Sequence, residues 1–486
     1  MADLRRSLVI NFFSNTGAVV LQFVVSLFLA RMLSPSEIGV YSMTVVFVNL
    51  AHVFRDFGVG AYLQREEQLT PDKIRSALGV VIATSWVIAT GMFLLSTSVG
   101  RWFNEPEIVP VMRVLAVGFL LIPFGSVIGA LMAREFDAEK QAIVIAAGTI
   151  SFCIACLALA KLGFGTMSLA YANLVNIIAT TIAYIILRPN KMPLLPSLRR
   201  WGSVAHFGLG SLVSGCAVAL NNAIPDILLG KLGSARHVGL LSRANSTAAI
   251  FSSIAGSTVS YGAVSYLAQS HHRGDSLVPT LSRATGLLTG IGWPALAMTC
   301  LLGHEIVLAL YGPAWVECVP AITPLALASM VMMMFNYIPP AVTAIGRPYL
   351  SAVPILVMLL ARIAFGTWLF DGGLSGFAWA LFLATVACTP VILMQQRHYF
   401  NFTVGALLRA VAPSALVTLG TVAAGAALNY LVPVSLPALA RLLLMLPILA
   451  AAWYGMLRLT RHALLDEVHR LAATAKIRLA RLLPTV

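Results

Sequence analysis

The sequence predicts an all-α polytopic membrane protein of about fourteen transmembrane helices. Three observations carry this expectation. Hydrophobic residues make up 59% of the 486 positions and charged ones only 10%, where soluble domains carry about 25% charged residues. Mean hydropathy is +0.88. Apolar runs recur at a length of about 20 residues, which a bilayer core roughly 30 Å thick requires of one helix. Barrel strands need only about 10 residues of alternating polarity. The composition excludes a soluble multidomain enzyme, a disordered scaffold and a disulfide-stapled secreted protein.

In chain order the runs fall near 8–30, 39–61, 77–97, 109–131, 142–160 and 168–187, then 203–230, 238–262, 284–304, 318–341, 350–370 and 376–396, and finally 405–430 and 438–457. The first has no small-residue cleavage site after it and reads as an uncleaved span. Residues 1–187 and 202–396 are therefore expected to form two six-span lobes, with 397–457 adding spans thirteen and fourteen. The connection 188–201, RPNKMPLLPSLRRW, has three prolines and four cations and reads as the linker. In the basic tail 458–486, Leu464, Val468, Leu471, Ala475, Leu479 and Leu482 recur at helical spacing, while Arg470, Lys476 and Arg481 fall elsewhere. Such an amphipathic helix suits the cytoplasmic membrane surface, and a partner helix is the alternative.

The net charge of +14 would suggest nucleic acid in a soluble chain. In a membrane protein its position decides, because cytoplasmic loops collect Lys and Arg. With the N-terminus inside, 22 of the 32 cations fall in inner segments, six in outer ones and four within spans. That asymmetry places both termini in the cytoplasm and supports an even number of spans. The six cysteines lie in or beside apolar stretches. Cys153 and Cys156 form a CxxC with no second pair and no nearby His, so they read as apolar thiols, not as a metal or redox site.

An internal repeat appears at an offset of 200. ARMLSPSEIGVYSM at 30–43 aligns without gaps on GKLGSARHVGLLSR at 230–243, placing Arg31 on Lys231, Ser34 on Ser234, Gly39 on Gly239 and Ser42 on Ser242. Both copies join the first span of a half to its second. Six spans separate them, so the halves are parallel repeats about an axis along the membrane normal.

Ionisable and amide side chains at membrane depth are costly and usually face a cavity or a partner. On a helical projection Asn11, Asn15, Gln22 and Ser26 share one face of the first span, and Asn49, His52 and Asp56 share one face of the second. Ser211, Asn222 and Asp226 do so on the seventh, where Pro225 releases the carbonyl of Asn221. The eighth is Ser/Thr-rich and carries Arg243. These stripes suit a hydrophilic cavity between the lobes, although interhelical hydrogen bonds alone would account for them equally. Arg55 and Asp56 adjoin the inner end of their span, where a simple ion pair serves as well. Arg31 and Lys231 lie near outer ends, where snorkelling is the plain reading; their recurrence at matched repeat positions raises them. Arg113 and Arg362 are single intramembrane cations. His271 and His272 have no spaced partner for a metal. The chain has no HExxH, GxSxG, GxxxxGK[ST] or dinucleotide fingerprint, so no enzyme, cofactor or metal is expected.

Several segments resemble the polysaccharide transporter family, the Wzx-type oligosaccharide flippases of the multidrug/oligosaccharidyl-lipid/polysaccharide exporter superfamily. ARMLSPSEIGVYSM, followed by FRDFGVGAYLQREEQLT at 54–70, looks like its first-half signature. IPDILLGKLGSARHVGLLSRA at 224–244 looks like the second-half counterpart, and YGPAWVECVPAI at 311–322 like the segment before the tenth span. The resemblance covers roughly residues 1–400. Ser-Arg-His-type composition at 234–237 departs from it, where acidic or small residues are more usual. It implies a bacterial inner-membrane flippase for undecaprenyl-pyrophosphate-linked sugar units, rocking its lobes about a central site. Such a protein would serve exopolysaccharide or lipopolysaccharide assembly, beside a polymerase and a chain-length regulator. On this reading the pyrophosphate and glycan would be met by Arg55, Asp56, Asp226, Lys231 and Arg243, with Arg31, Asn15, Gln22, Asn49, Asn222, Arg113 and Arg362 nearby. A drug/cation antiporter of the same superfamily and a peptidoglycan-precursor flippase are the rival readings; a repeat-unit polymerase is disfavoured by the short outer loops.

Overall fold

The computed structural model describes residues 2–56, 58–66, 68–135, 137–188, 195–197, 201–260, 263–433 and 435–470. The described chain is helical throughout. The helices are α1 (Ala2–Met32), α2 (Pro35–Asp56), α3 (Val59–Arg65), α4 (Pro71–Phe103), α5 (Ile108–Arg134), α6 (Ala138–Lys161), α7 (Thr166–Leu187), α8 (Trp201–Leu232) and α9 (Ala235–Ser260). They continue with α10 (Ala263–His272), α11 (Val278–Leu301), α12 (Gly303–Leu310), α13 (Val319–Met333), α14 (Ile338–Ala344), α15 (Ala352–Trp368), α16 (Leu374–Phe400), α17 (Val404–Leu431) and α18 (Ala438–Leu459). Among the described residues, twelve spans are long and apolar enough to cross a membrane. The helices α8 and α9 stand where the seventh and eighth spans are expected, and at 32 and 26 residues each reaches beyond the roughly 30 Å of a bilayer core.

Helix ends follow local chemistry. Ser34 and Glu37 form a reciprocal cap at the start of α2: Ser34 N–H donates to Glu37 Oε2 at 2.7 Å, and Glu37 N–H to Ser34 Oγ at 3.3 Å. The repeat keeps this device with a substituted partner, since Ser234 Oγ lies 3.0 Å from His237 Nδ1 and accepts the His237 N–H. Histidine thus takes in the second copy the position that Glu37 holds in the first. Thr70 caps α4 before Pro71, and Asp137 caps α6. The Asp137 carboxyl is held below its usual range by its hydrogen bond to Lys140.

Two apolar runs expected as single spans are interrupted. The second ends as α2 and restarts as α3 beyond Gly58, whose φ of 64° is left-handed. Arg134 donates to the carbonyls of Leu63 and Glu66, and Lys73 donates to Glu66 Oε1 at 2.7 Å, tying α3 to α5 and α4. The tenth run breaks between α13 and α14. Pro339 and Pro340 have no N–H to donate to the preceding turn, so the chain tightens into turns at 334–337.

The chain forms two compact units, residues 1–240 and 241–486. In the first, α5 is central, packed on α4 and α7; α6 pairs with α7, α1 packs on α6, and α8 packs on α2 and α4. The short described piece 195–197 is pinned by Ser197 N–H to the Arg75 carbonyl at 3.0 Å, and Gly79 permits that approach.

In the second unit α11 is central, between α13 and α17; α16 packs on α13 and α15, α18 on α17 and α12, and α14 on α10. Arg441, one of the six cations that the charge count assigns to outer segments, is 5% exposed in the first turn of α18. It pairs with Glu305 of α12 at 2.5 Å and donates to Asn429 Oδ1 at 2.7 Å; burial this complete requires such partners. The beginning of the tail differs from expectation as well. Leu464, Leu465 and Val468 pack on Leu287, Val417, Trp453, Met456 and Leu457, so protein covers this apolar face. The tail residues 471–486 lie outside the described residues.

Within the first unit the two repeat glycines meet. A Cβ on Gly39 would lie 1.7 Å from the Ala235 carbonyl oxygen, and one on Gly239 would lie 1.9 Å from that of Pro35. Positions 35 and 235, like 39 and 239, are repeat equivalents, so the contact is isologous, as a local two-fold axis requires. Only glycine lets two helix backbones approach this closely.

Candidate functional site

The helices α2 and α8 are antiparallel neighbours that touch at two places. Gly230 receives Met43, and Gly215 receives Val53; a Cβ would lie 2.4 Å and 2.9 Å from them respectively. Between these contacts the helices part around a cavity of about 650 Å³. Its lining follows helical periodicity: Ser42, Val45, Val46, Asn49 and Val53 from α2, and Gly215, Val218, Ala219, Asn222, Ala223 and Asp226 from α8. Of the two stripes read from sequence, Asn49 of α2 and Asn222 and Asp226 of α8 reach this lining. At 1.5 Å per residue, the α2 lining begins about 10 Å into its helix.

Four polar side chains converge there: Ser42, Asn49, Asn222 and Asp226. Among the described residues none of them has a hydrogen-bond or ion-pair partner in the protein. Polar groups at membrane depth are normally satisfied by protein. Here an acid, two amides and a hydroxyl are left turned to a cavity wide enough for a sugar ring. Such a set can accept and donate hydrogen bonds to a hydroxyl-rich guest held between valine and alanine walls.

The other sequence candidates lie elsewhere. Lys231, in the last turn of α8, donates to the Trp102 carbonyl at 2.6 Å and rests over the Trp102 ring. Arg113 is held by Ser96 Oγ at 3.2 Å, by Thr97 Oγ1 and by the Phe93 ring. Asn15 donates to the Asn11 carbonyl, and both Asn15 and Gln22 are exposed on α1, away from the cavity lining. Arg31 ends α1 and is exposed; Arg55 is half-buried, two residues beyond the Val53 wall. The Asp56 and Ser211 side chains are outside the described residues. His52 turns from the cavity to stack on Phe119, with ring centroids 4.8 Å apart.

In the second unit, Arg243 lies between aromatic faces, 5.5 Å from the Tyr311 ring and 5.3 Å from that of Trp315. Its Nε is buried without a hydrogen bond, and no carboxylate pairs with it among the described residues. Rings can hold a guanidinium while leaving its N–H groups for an anion. Arg362 lies on α15 beside Cys388 of α16.

Sequence reasoning missed two buried polar clusters. One is the Arg441–Glu305–Asn429 group. In the other, Leu464 N–H donates to His462 Nδ1 at 3.1 Å, which leaves Nε2 as the donor to Ser414 Oγ at 3.0 Å; Thr289 reaches the same hydroxyl at 2.8 Å. The histidine is 4% exposed, and its two ring nitrogens tie the chain after α18 to Leu464 and Ser414. No group of three potential metal ligands occurs among the described residues.

The family model described as "Polysaccharide biosynthesis protein" matches residues 28–320. The chain belongs to that family. It is 23% identical over 337 residues to the succinoglycan biosynthesis transport protein ExoT of Rhizobium meliloti (strain 1021), covering 69% of this chain and 68% of that one. It is 20% identical to the teichuronic acid biosynthesis protein TuaB of Bacillus subtilis (strain 168), covering 86% and 87%. Among solved structures, the lipid II flippase MurJ in an inward closed conformation matches with a TM-score of 0.75 at 11% identity, covering 93% of this chain and 99% of that one. An inward-facing multidrug resistance MATE family transporter of the MOP superfamily matches with a TM-score of 0.62 at 14% identity, covering 81% and 95%. The expected fold class is thereby borne out: an all-helical multi-pass membrane protein with the MurJ/MATE fold.

Proposed function

We propose that the protein is a flippase that moves lipid-linked oligosaccharide repeat units from the cytoplasmic to the outer leaflet of the bacterial inner membrane. The observation that carries this reading is the cavity between α2 and α8. Four polar side chains without protein partners line it at membrane depth, in a chain of the polysaccharide biosynthesis family. Ser42, Asn49, Asn222 and Asp226 bind glycan hydroxyls. In the second unit, Arg243 is the arginine best suited to an anionic group such as pyrophosphate, because its guanidinium is held by rings and not by a carboxylate. The lipid tail stays in the bilayer.

Transport follows alternating access between lobes 1–187 and 202–396, linked by 188–201, with both termini in the cytoplasm. The protein carries the substrate across unchanged and is not an enzyme; polymerase and chain-length regulator act on the delivered unit. The test is deletion of the chain in its own host, followed by complementation. Lipid-linked repeat units should accumulate in the inner leaflet, and one surface polysaccharide should disappear. An unchanged polysaccharide profile would refute the reading.

One observation favours a second reading. Asp226 faces the cavity without a cation, which also suits export of an organic cation. Loss of drug tolerance on deletion, with polysaccharide intact, would select that alternative.

A further inference from the structure

The turn between α15 and α16, far along the chain from the cavity just described, holds a second cleft of about 610 Å³. Trp368, Phe370, Trp379 and Phe382 supply rings, and Asp371 supplies the only charge in its lining. Trp368 and Trp379 are 76% and 41% exposed, and Trp379 is braced edge-to-face on Phe382 at 5.6 Å. Asp371 Oδ1 accepts the Gly373 N–H at 3.0 Å. It lies over the first turn of α16 because Gly376 has no side chain there: a Cβ at that position would be 2.7 Å from the same oxygen. The second carboxylate oxygen has no partner among the described residues.

Two spans end at this turn, so it lies at the level of lipid headgroups. Aromatic rings alone would be an ordinary interfacial belt. A carboxylate amid them adds a sign. It repels phosphate and the anionic glycerol headgroups, whereas the faces of Trp and Phe attract cations.

We propose that this cleft binds the primary ammonium of an amine-bearing lipid, phosphatidylethanolamine in a bacterial membrane. The ammonium sits against Asp371 with the rings about it, and the lipid phosphate remains in the aqueous interface. The site concerns the bilayer around the protein and is independent of what the protein transports.

The test uses purified full-length protein in nanodiscs of mixed phosphatidylethanolamine and phosphatidylglycerol, with retained lipid counted by native mass spectrometry. Phosphatidylethanolamine should be retained roughly three- to tenfold over phosphatidylglycerol, the scale of a few exposed cation–π and ion-pair contacts. Asp371→Asn should abolish the preference, Asp371→Glu should keep it, and Trp379→Leu should weaken it. Equal retention of both lipids by the wild type, or a preference that survives Asp371→Asn, would overturn the proposal. So would displacement of the lipid by soluble phosphoethanolamine at matched concentration, because the site would then be one for a soluble amine.

Discussion

Replacing Gly39 by alanine puts a methyl group into a space that does not exist. Its Cβ would lie 1.7 Å from the Ala235 carbonyl oxygen, and ordinary contact begins at 3.4 Å. The obstacle is backbone, so no rotamer can relieve it, and α2 and α9 must part by roughly 1.7 Å. Gly239→Ala meets the Pro35 oxygen at 1.9 Å and requires nearly the same separation. Overpacking of this kind costs about 1–3 kcal/mol. Each single variant should therefore unfold at a lower temperature in detergent. The double variant should cost clearly less than the sum of the singles, because one separation relieves both clashes, and contacting sites couple by about 0.5–3 kcal/mol. Gly17→Ala is the control: nothing lies within 4 Å of its added Cβ, and alanine in a helix interior gains up to about 1 kcal/mol over glycine. Wild-type melting of both single variants, or strict additivity in the double, would refute the isologous glycine contact.

Breaking the buried pair by Glu305→Gln should destabilise the protein by about 3–5 kcal/mol, since it leaves the buried Arg441 guanidinium without its counter-charge; thermal unfolding checks it, and a shift within error would mean that the pair is hydrated. Burial holds His462 below its ordinary value of 6.5. Between that lowered value and 6.5 the unfolded chain binds the extra proton, so stability is complete above about 6.5 and falls as pH drops below it. His462→Gln should flatten this part of the pH–stability curve, and an unaltered curve would contradict the assignment. Arg243→Ala should reduce polysaccharide export at normal membrane abundance, with Arg243→Lys restoring it only in part because an ammonium lacks the bidentate fork; full export by the alanine variant would remove Arg243 from the substrate path.

The apolar runs and the helical class were legible because spans announce themselves by length. The cavity lining was legible in part: Asn49, Asn222 and Asp226 were read from helical projection, whereas His52, placed on the same face as Asn49, turns to Phe119 instead. The α1 stripe had the same periodicity, yet Asn15 and Gln22 are exposed. Periodicity shows which residues share a face and says nothing about the neighbour that the face meets. The same limit explains the tail, where Leu464 and Val468 formed an apolar face as expected but met protein. Arg441 read as a loop cation because its partner Glu305 is 136 positions away in the sequence, and no local pattern joins them. Pro339–Pro340 did announce the break of the tenth span, but its long apolar run masked the signal. The offset of 200 between the repeats was the most informative reading, since it placed Gly39 and Gly239 at equivalent positions before any contact was known.

The central claim is that the cavity between α2 and α8 binds the transported glycan. Its most direct test is export of lipid-linked repeat units by Asn222→Leu and Asn49→Leu variants, normalised to membrane abundance. Leucine keeps the span apolar and stable while removing the hydrogen-bonding groups. The cavity account gives normal abundance with export reduced at least tenfold, the scale of one or two hydrogen bonds lost to a buried guest at about 1.5 kcal/mol each. Export at the wild-type level from both variants would contradict it.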